Sequence, residues 1–141
     1  MPVQNEILPF DDLSTNVRVN SSRIAELHIP AANQMSRQLL LSGILRELNN
    51  NDDSRWACWI ANTPVKSLLS ESARKTGHHL LQVLARETHE IAPLAIRALQ
   101  SGRSHTVVVL LNRLLNDSEY QQLELAARKG EADCLIIRID S

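Results

Sequence analysis

A strand, a helix and a glycine recur along this chain at a spacing of roughly 25 residues, and that recurrence restricts its fold more than any single motif does. "RWACWIA" reads as a strand leading to a helix from about Pro64 to Thr76 and then Gly77. "LLQVLA" leads to a helix from about Ile91 to Ser101 and then Gly102. "TVVVLLN" leads to a helix from about Ser118 to Lys129 and then Gly130, before a last strand "DCLIIRI". Each glycine stands where a helix must leave through a left-handed residue, a conformation open to a residue without Cβ. The strands are apolar on both faces, as expected of a parallel sheet covered by helices on each side. Right-handed crossovers then define an open α/β sandwich. Trp56 and Trp59, three apart on one strand, are expected to point to opposite faces and plug the two helix layers.

Local signals agree. Thr63 before Pro64 reads as an N-cap with proline at the first helical position, and Ser118 with Gln121 as a capping-box pattern. Pro93 requires its helix to begin near Ile91, because deeper inside it would remove a hydrogen bond. Upstream, "RIAELHI" reads as a short strand. Ala31 to Asn50 forms the strongest helical pattern, with Met35, Leu39, Leu41, Ile44, Leu45 and Leu48 on one stripe. Residues 1–22 hold two prolines and no sustained periodicity; they are expected to form a flexible arm ahead of a single domain spanning 23–141.

Composition excludes several classes. Fifteen basic against sixteen acidic residues, with 3% aromatic content, offers neither the field nor the stacking platforms of a nucleic-acid binder. No apolar run approaches the ~20 residues that span a bilayer, and the start "MPVQNEILPFDD" lacks an export signal, so no membrane association and a cytoplasmic location are expected. Cys58 and Cys134 lie inside apolar runs without metal-ligand spacing and read as buried thiols.

The one stretch that invites a nucleotide is Asn62 to Ser67, where a strand turns into a helix ahead of Lys66 and Ser67. A phosphate loop needs glycines that fold backbone N–H groups around an anion. Ile60 and Val65 stand where those glycines belong, and Pro64 removes a donor. The strand "TVVVLLN" ends in Asn112, where a magnesium-holding site would have aspartate. No cofactor is therefore expected. His28, His78, His79, His89 and His105 show no HExxH spacing, so no metal is expected either. "GRSH" at Gly102 to His105 follows a helix and lacks the geometry of a nucleophile elbow. Glu119 and Glu124 read as a polar helix face, and Asp52 with Asp53 as a turn. An enzyme is not expected; a binding protein is.

Several landmarks together resemble the SulA family of bacterial cell-division inhibitors, made during the DNA-damage (SOS) response. They are "MSRQLLLSGILRELN" before "SRWACWIA", then "RALQSG", "VVVLLN" and "LELAARKGEADCLIIR". The resemblance implies a RecA-like fold without a phosphate loop. It implies that the chain binds the tubulin-like GTPase FtsZ and blocks its polymerisation and septum formation, with Arg55 and Ile60 at the positions that matter for that contact. A rim arginine beside a branched aliphatic residue suits a hot spot. Ser72 and Gln82 depart from the tryptophan and lysine that some members use. Members also carry a C-terminal tail read by the Lon protease, whereas this sequence stops at Asp140 and Ser141 after the last strand, so turnover by Lon would need another route or a tail since removed. Two further expectations stand beside these: a RecA-like accessory protein docking on recombination or damage-tolerance polymerase machinery, and a homodimer formed through the arm, the leucine stripe at Leu39 to Leu41 or a free sheet edge.

Overall fold

The computed structural model describes residues 16–19, 23–30, 34–49, 53–62 and 80–140. These form β1 (Asn16–Val19), β2 (Ile24–Ile29), α1 (Gln34–Asn49), β3 (Trp56–Ala61), β4 (Leu80–Leu84), α2 (Ile91–Ser101), β5 (Ser104–Leu111), α3 (Asp117–Gly130) and β6 (Asp133–Ile139). A 3-10 turn, Thr88–Glu90, leads into α2. The expected helix from Pro64 to Thr76, its Thr63 cap and Gly77 lie outside the described residues.

The six strands make one sheet in the order β1-β2-β6-β5-β3-β4. β2, β6, β5, β3 and β4 are mutually parallel, and only β1 runs antiparallel, along β2. The α/β reading with a mainly parallel sheet therefore holds. The arm reading is corrected at Asn16–Val19, which pairs with Ala25 to His28 as an edge strand. The residues NVRV alternate polar and apolar, but four residues are too short a run to stand as a strand signal apart from the β2 they pair with.

Side-chain alternation along the strands divides the core in two. Cys58, Ile60, Val107, Val109, Cys134 and Ile136 face α2 and α3, while Trp59, Ala61, Val108, Leu110 and Ile137 face α1. All eight residues of β5 are buried, as a central strand covered on both sides requires. The two thiols sit in the first core, where burial raises Cys58 to about 11 and Cys134 to about 12. Neither is a nucleophile at neutral pH.

Helix ends correct two local readings. α2 begins at Ile91 with Pro93 in its first turn and leaves through Gly102 at φ 72°, both as expected. α3 begins earlier than its Ser118 signal: the Asn116 side chain accepts from the Glu119 N–H at 2.8 Å, and Glu119 accepts from the Asn116 N–H at 3.0 Å. Its exit is through Glu131 at φ 51°, not through Gly130. Gly130 answers a different demand, since a Cβ there would lie 1.7 Å from the Leu99 carbonyl oxygen, where α3 crosses α2. The tryptophans also separate. Trp59 is buried among α1-facing residues, but Trp56 is 46% exposed, beside a register shift between Trp56 and Ala57 that re-aims the strand end.

Candidate functional site

Parallel strands with returning helices bring both helix C-termini to the amino edge of the sheet, next to the start of β3. Unpaired carbonyls accumulate there, each helix end carrying roughly half a negative charge. Arg55, the residue before β3, fills this corner. Its Nη1 donates to the carbonyls of Gly102 at 3.4 Å and Gly130 at 3.2 Å, and its Nη2 donates to the Glu131 carbonyl at 3.0 Å. The other edge of the guanidinium meets Asp53 bidentately, Nε at 3.0 Å and Nη2 at 2.8 Å. Arginine alone has the planar fork to serve both helix ends and a carboxylate together.

The charges tune one another. The Arg55 guanidinium and backbone N–H hold the Asp53 carboxyl well below the usual carboxylate range, and Asp53 raises Arg55 in return. His105, buried next to this corner, is lowered by burial, with Asp53 pulling up and Arg55 pushing down. Its Nδ1 lies 2.9 Å from Thr106 Oγ1.

Of the two residues singled out for partner contact, Arg55 lies in this corner with 29% of its side chain exposed. Ile60 lies elsewhere: it is fully buried between the sheet and the α2/α3 layer, with no surface to present. Its expected direct contact is therefore corrected for the folded domain, because a β3 side chain on the helix-covered face is core. Sequence reasoning missed the neighbour with the best surface, Trp56, whose half-exposed indole immediately follows Arg55. It also set aside Asp53 as turn chemistry, although an acid two residues before an arginine at a strand start is a readable signal for the ion pair. Gln82 is exposed on β4; Ser72 lies outside the described residues.

The opposite edge holds the place where an open α/β sheet binds ligands. The chain leaves β3 for β4 on one side and β5 for β6 on the other, so the crevice beyond the carboxyl ends of β3 and β5 is the topological switch point. Asn62, Asn112 and Arg113 follow those strands. Arg113 is committed to Glu119 through contacts of 3.0 and 2.8 Å. Lys66 and Ser67 lie outside the described residues. Among those described, no cluster of three His, Cys, Asp or Glu side chains could hold a metal ion, and no helix is long and apolar enough to cross a membrane.

The fold and this geometry define a mainly parallel α/β domain whose best-organised polar corner is tied together by an arginine at the helix C-termini. Comparison with known proteins makes the class specific. A family profile described as "Cell division inhibitor SulA" matches residues 22–134. The cell division inhibitor SulA of Pseudomonas aeruginosa is 40% identical over 103 residues, covering 71% of this chain and 62% of that protein. The SulA of Enterobacter sp. (strain 638) is 32% identical over 133 residues, 91% of this chain and 75% of that protein. The crystal structure of SulA from Pseudomonas aeruginosa matches with a TM-score of 0.72 and 35% identity over 83% of this chain and 98% of that one. This chain belongs to the SulA family of cell division inhibitors. It spans 62% of the length of the Pseudomonas relative.

Proposed function

We propose that this chain inhibits bacterial cell division by binding FtsZ in the cytoplasm and blocking its polymerisation, as part of the SOS response to DNA damage. Membership in a family of division inhibitors is the observation that carries the reading. The chemistry of the domain supports it: the described residues offer a partner surface and no evident reaction centre, so inhibition by occupancy needs no bond to be made or broken. The surface proposed for FtsZ is the amino-edge corner at Arg55 and Trp56. An indole 46% exposed beside a guanidinium combines two of the residue types that dominate interface energetics. On this reading Ile60 acts from beneath, by keeping β3 seated so that the corner holds its shape.

The test is FtsZ assembly in GTP, followed by sedimentation and light scattering with increasing amounts of this protein. Inhibition is expected for the unaltered chain. Trp56→Ala, which removes surface without touching the Arg55 bonds, is expected to weaken it roughly tenfold. Circular dichroism of the variant separates a lost contact from a lost fold. Unimpeded FtsZ assembly at saturating protein would reject the proposal.

A further inference from the structure

We infer that His105 is a positioning residue for the partner surface: its ring, wedged into the shifted register between β3 and β5, sets where Trp56 stands, and a proton on that ring displaces the indole. The consequence for inhibition rests on the reading of the Arg55 and Trp56 corner as the surface for FtsZ; the placement of Trp56 does not.

The backbone supplies the first link. Trp56 pairs with Ser104 and Ala57 pairs with Thr106, so one step along β3 matches two along β5 and His105 is the extra residue. Such an insertion is rare between parallel strands, and it bends the chain and re-aims the side chains beside it. β5 is apolar from Val107 to Leu111, yet Ser104, His105 and Thr106 are buried with the rest of it, and among the described residues no other polar or charged residue is. Buried polar groups are kept where they are bonded. His105 Nδ1 meets Thr106 Oγ1 at 2.9 Å, which ties the ring to the residue where regular pairing resumes. Movement of the ring is therefore passed to the strand start that carries Trp56.

Charge supplies the second link. The charged side chains acting on the ring are Asp53 and Arg55, from the turn before β3, and Asp133, at the start of β6. Burial, the largest influence, favours the neutral ring; Asp53 and Asp133 oppose it, and Arg55 adds to it. Both carboxylates are already engaged, Asp53 by Arg55 at 2.8 Å and Asp133 by Arg23 at 3.3 Å. Arg103, two residues earlier, is exposed. An imidazolium here would lack a free counter-ion, face a guanidinium and sit out of water, so on taking a proton the ring moves toward solvent. A charged Nδ1 can only donate, which also limits Thr106 Oγ1 to accepting. Without its wedge the first pairs of β3 and β5 relax, and Trp56 moves with them. Trp59, three residues further along regular pairing, stays in the core.

The experiment follows the two indole N–H signals by proton–nitrogen correlation NMR from about pH 7.5 to about pH 5, with Trp56→Phe to assign them. The Trp56 signal is expected to shift with one midpoint below the ordinary histidine value, while the Trp59 signal stays in place. In His105→Gln, which keeps a neutral polar side chain at the insertion, the Trp56 titration is expected to vanish although His28 and His89 remain. Circular dichroism checks the fold of that variant, and the contrast between the two indoles in the unaltered chain needs no substitution at His105. No shift of Trp56, a shift shared by Trp59, or a titration that survives in His105→Gln would overturn the inference. FtsZ assembly then tests the consequence. The potency of His105→Gln relative to the unaltered chain cancels the pH response of FtsZ itself, and is expected to rise about threefold over the same range. A constant ratio while Trp56 moves would deny His105 its role at the partner surface. The NMR titration contains no FtsZ, so absence of inhibition by either protein rejects the reading of the corner and leaves the placement of Trp56 decided by its own signal.

Discussion

On one face of the sheet, α2 and α3 cross at Gly130, bury Leu99, Leu123, Ala126 and Ala127, and have their C-termini joined by Arg55; on the other, α1 buries Leu41 and Leu45 and leaves Met35 and Leu39 about 70% in solvent. The α1 side also holds Ser42 Oγ and Trp59 Nε1, buried polar atoms without a hydrogen-bond partner. The contrast teaches that leucine content does not measure how firmly a helix is held. α1 is the most leucine-rich helix among the described residues, yet small residues, a glycine crossing and polar links at the helix ends tie the poorer α2 and α3 more closely.

Paired glycine substitutions should break this comparison most visibly. Gly130→Ala places a Cβ 1.7 Å from backbone, which cannot yield without separating α2 from α3, and is expected to destabilise by about 3 kcal/mol or more in urea unfolding. Gly43→Ala, at an α1 position with open space around it, is expected to stabilise by about 0.5 to 1 kcal/mol. Equal effects of the two would show that the faces are packed alike. Next in size, Arg55→Ala is expected to lower the melting temperature by about 3 °C or more, as helix-end carbonyls lose their donor, with Arg55→Lys restoring only part because an ammonium cannot bridge all four partners.

Ser42→Ala sharpens the contrast from the other side. Removing a buried hydroxyl without a partner is expected to stabilise by about 1 kcal/mol, a sign opposite to most truncations. The smallest effect is in acid. Burial lowers the folded-state pKa of His105 below 6.5, so the unfolded chain binds the proton first. That contribution to stability is complete above the ordinary histidine pKa and is lost as pH falls through the lowered folded value. Urea midpoints measured from about pH 7.5 down to about pH 5 should therefore fall less steeply in His105→Gln than in the unaltered chain.

Much of the architecture was readable from residues alone, where the signal was local. The runs around Cys58, Val108 and Ile136, apolar on both faces, announced buried parallel strands, and Pro93 and Gly102 bracketed α2. Signals failed where a tertiary partner decided the outcome. Gly130 looks like a helix exit until Leu99 is placed against it. Ser118 with Gln121 has the spacing of a capping box, but Asn116 with Glu119 forms the real one, reinforced by Arg113. Trp56 and Trp59 obey the same alternation until a register shift at the strand end turns one outward. The geometry of the candidate site was not legible. Arg55 was singled out through the family resemblance, but its acceptors are carbonyls 47 and 75 positions away, which no sequence pattern encodes. Ile60 was named for a surface it does not have.

One guanidinium joining three distant stretches of chain also has a kinetic meaning. Closing those loops is entropically unfavourable until the sheet and both crossover helices are in place, so these bonds complete late in assembly. Interactions absent from the folding transition state leave the rate of folding almost unchanged and set the lifetime of the folded state. Arg55 would then act as a latch on persistence: with it, the folded domain endures once made; without it, the same fold forms as quickly and is surrendered sooner.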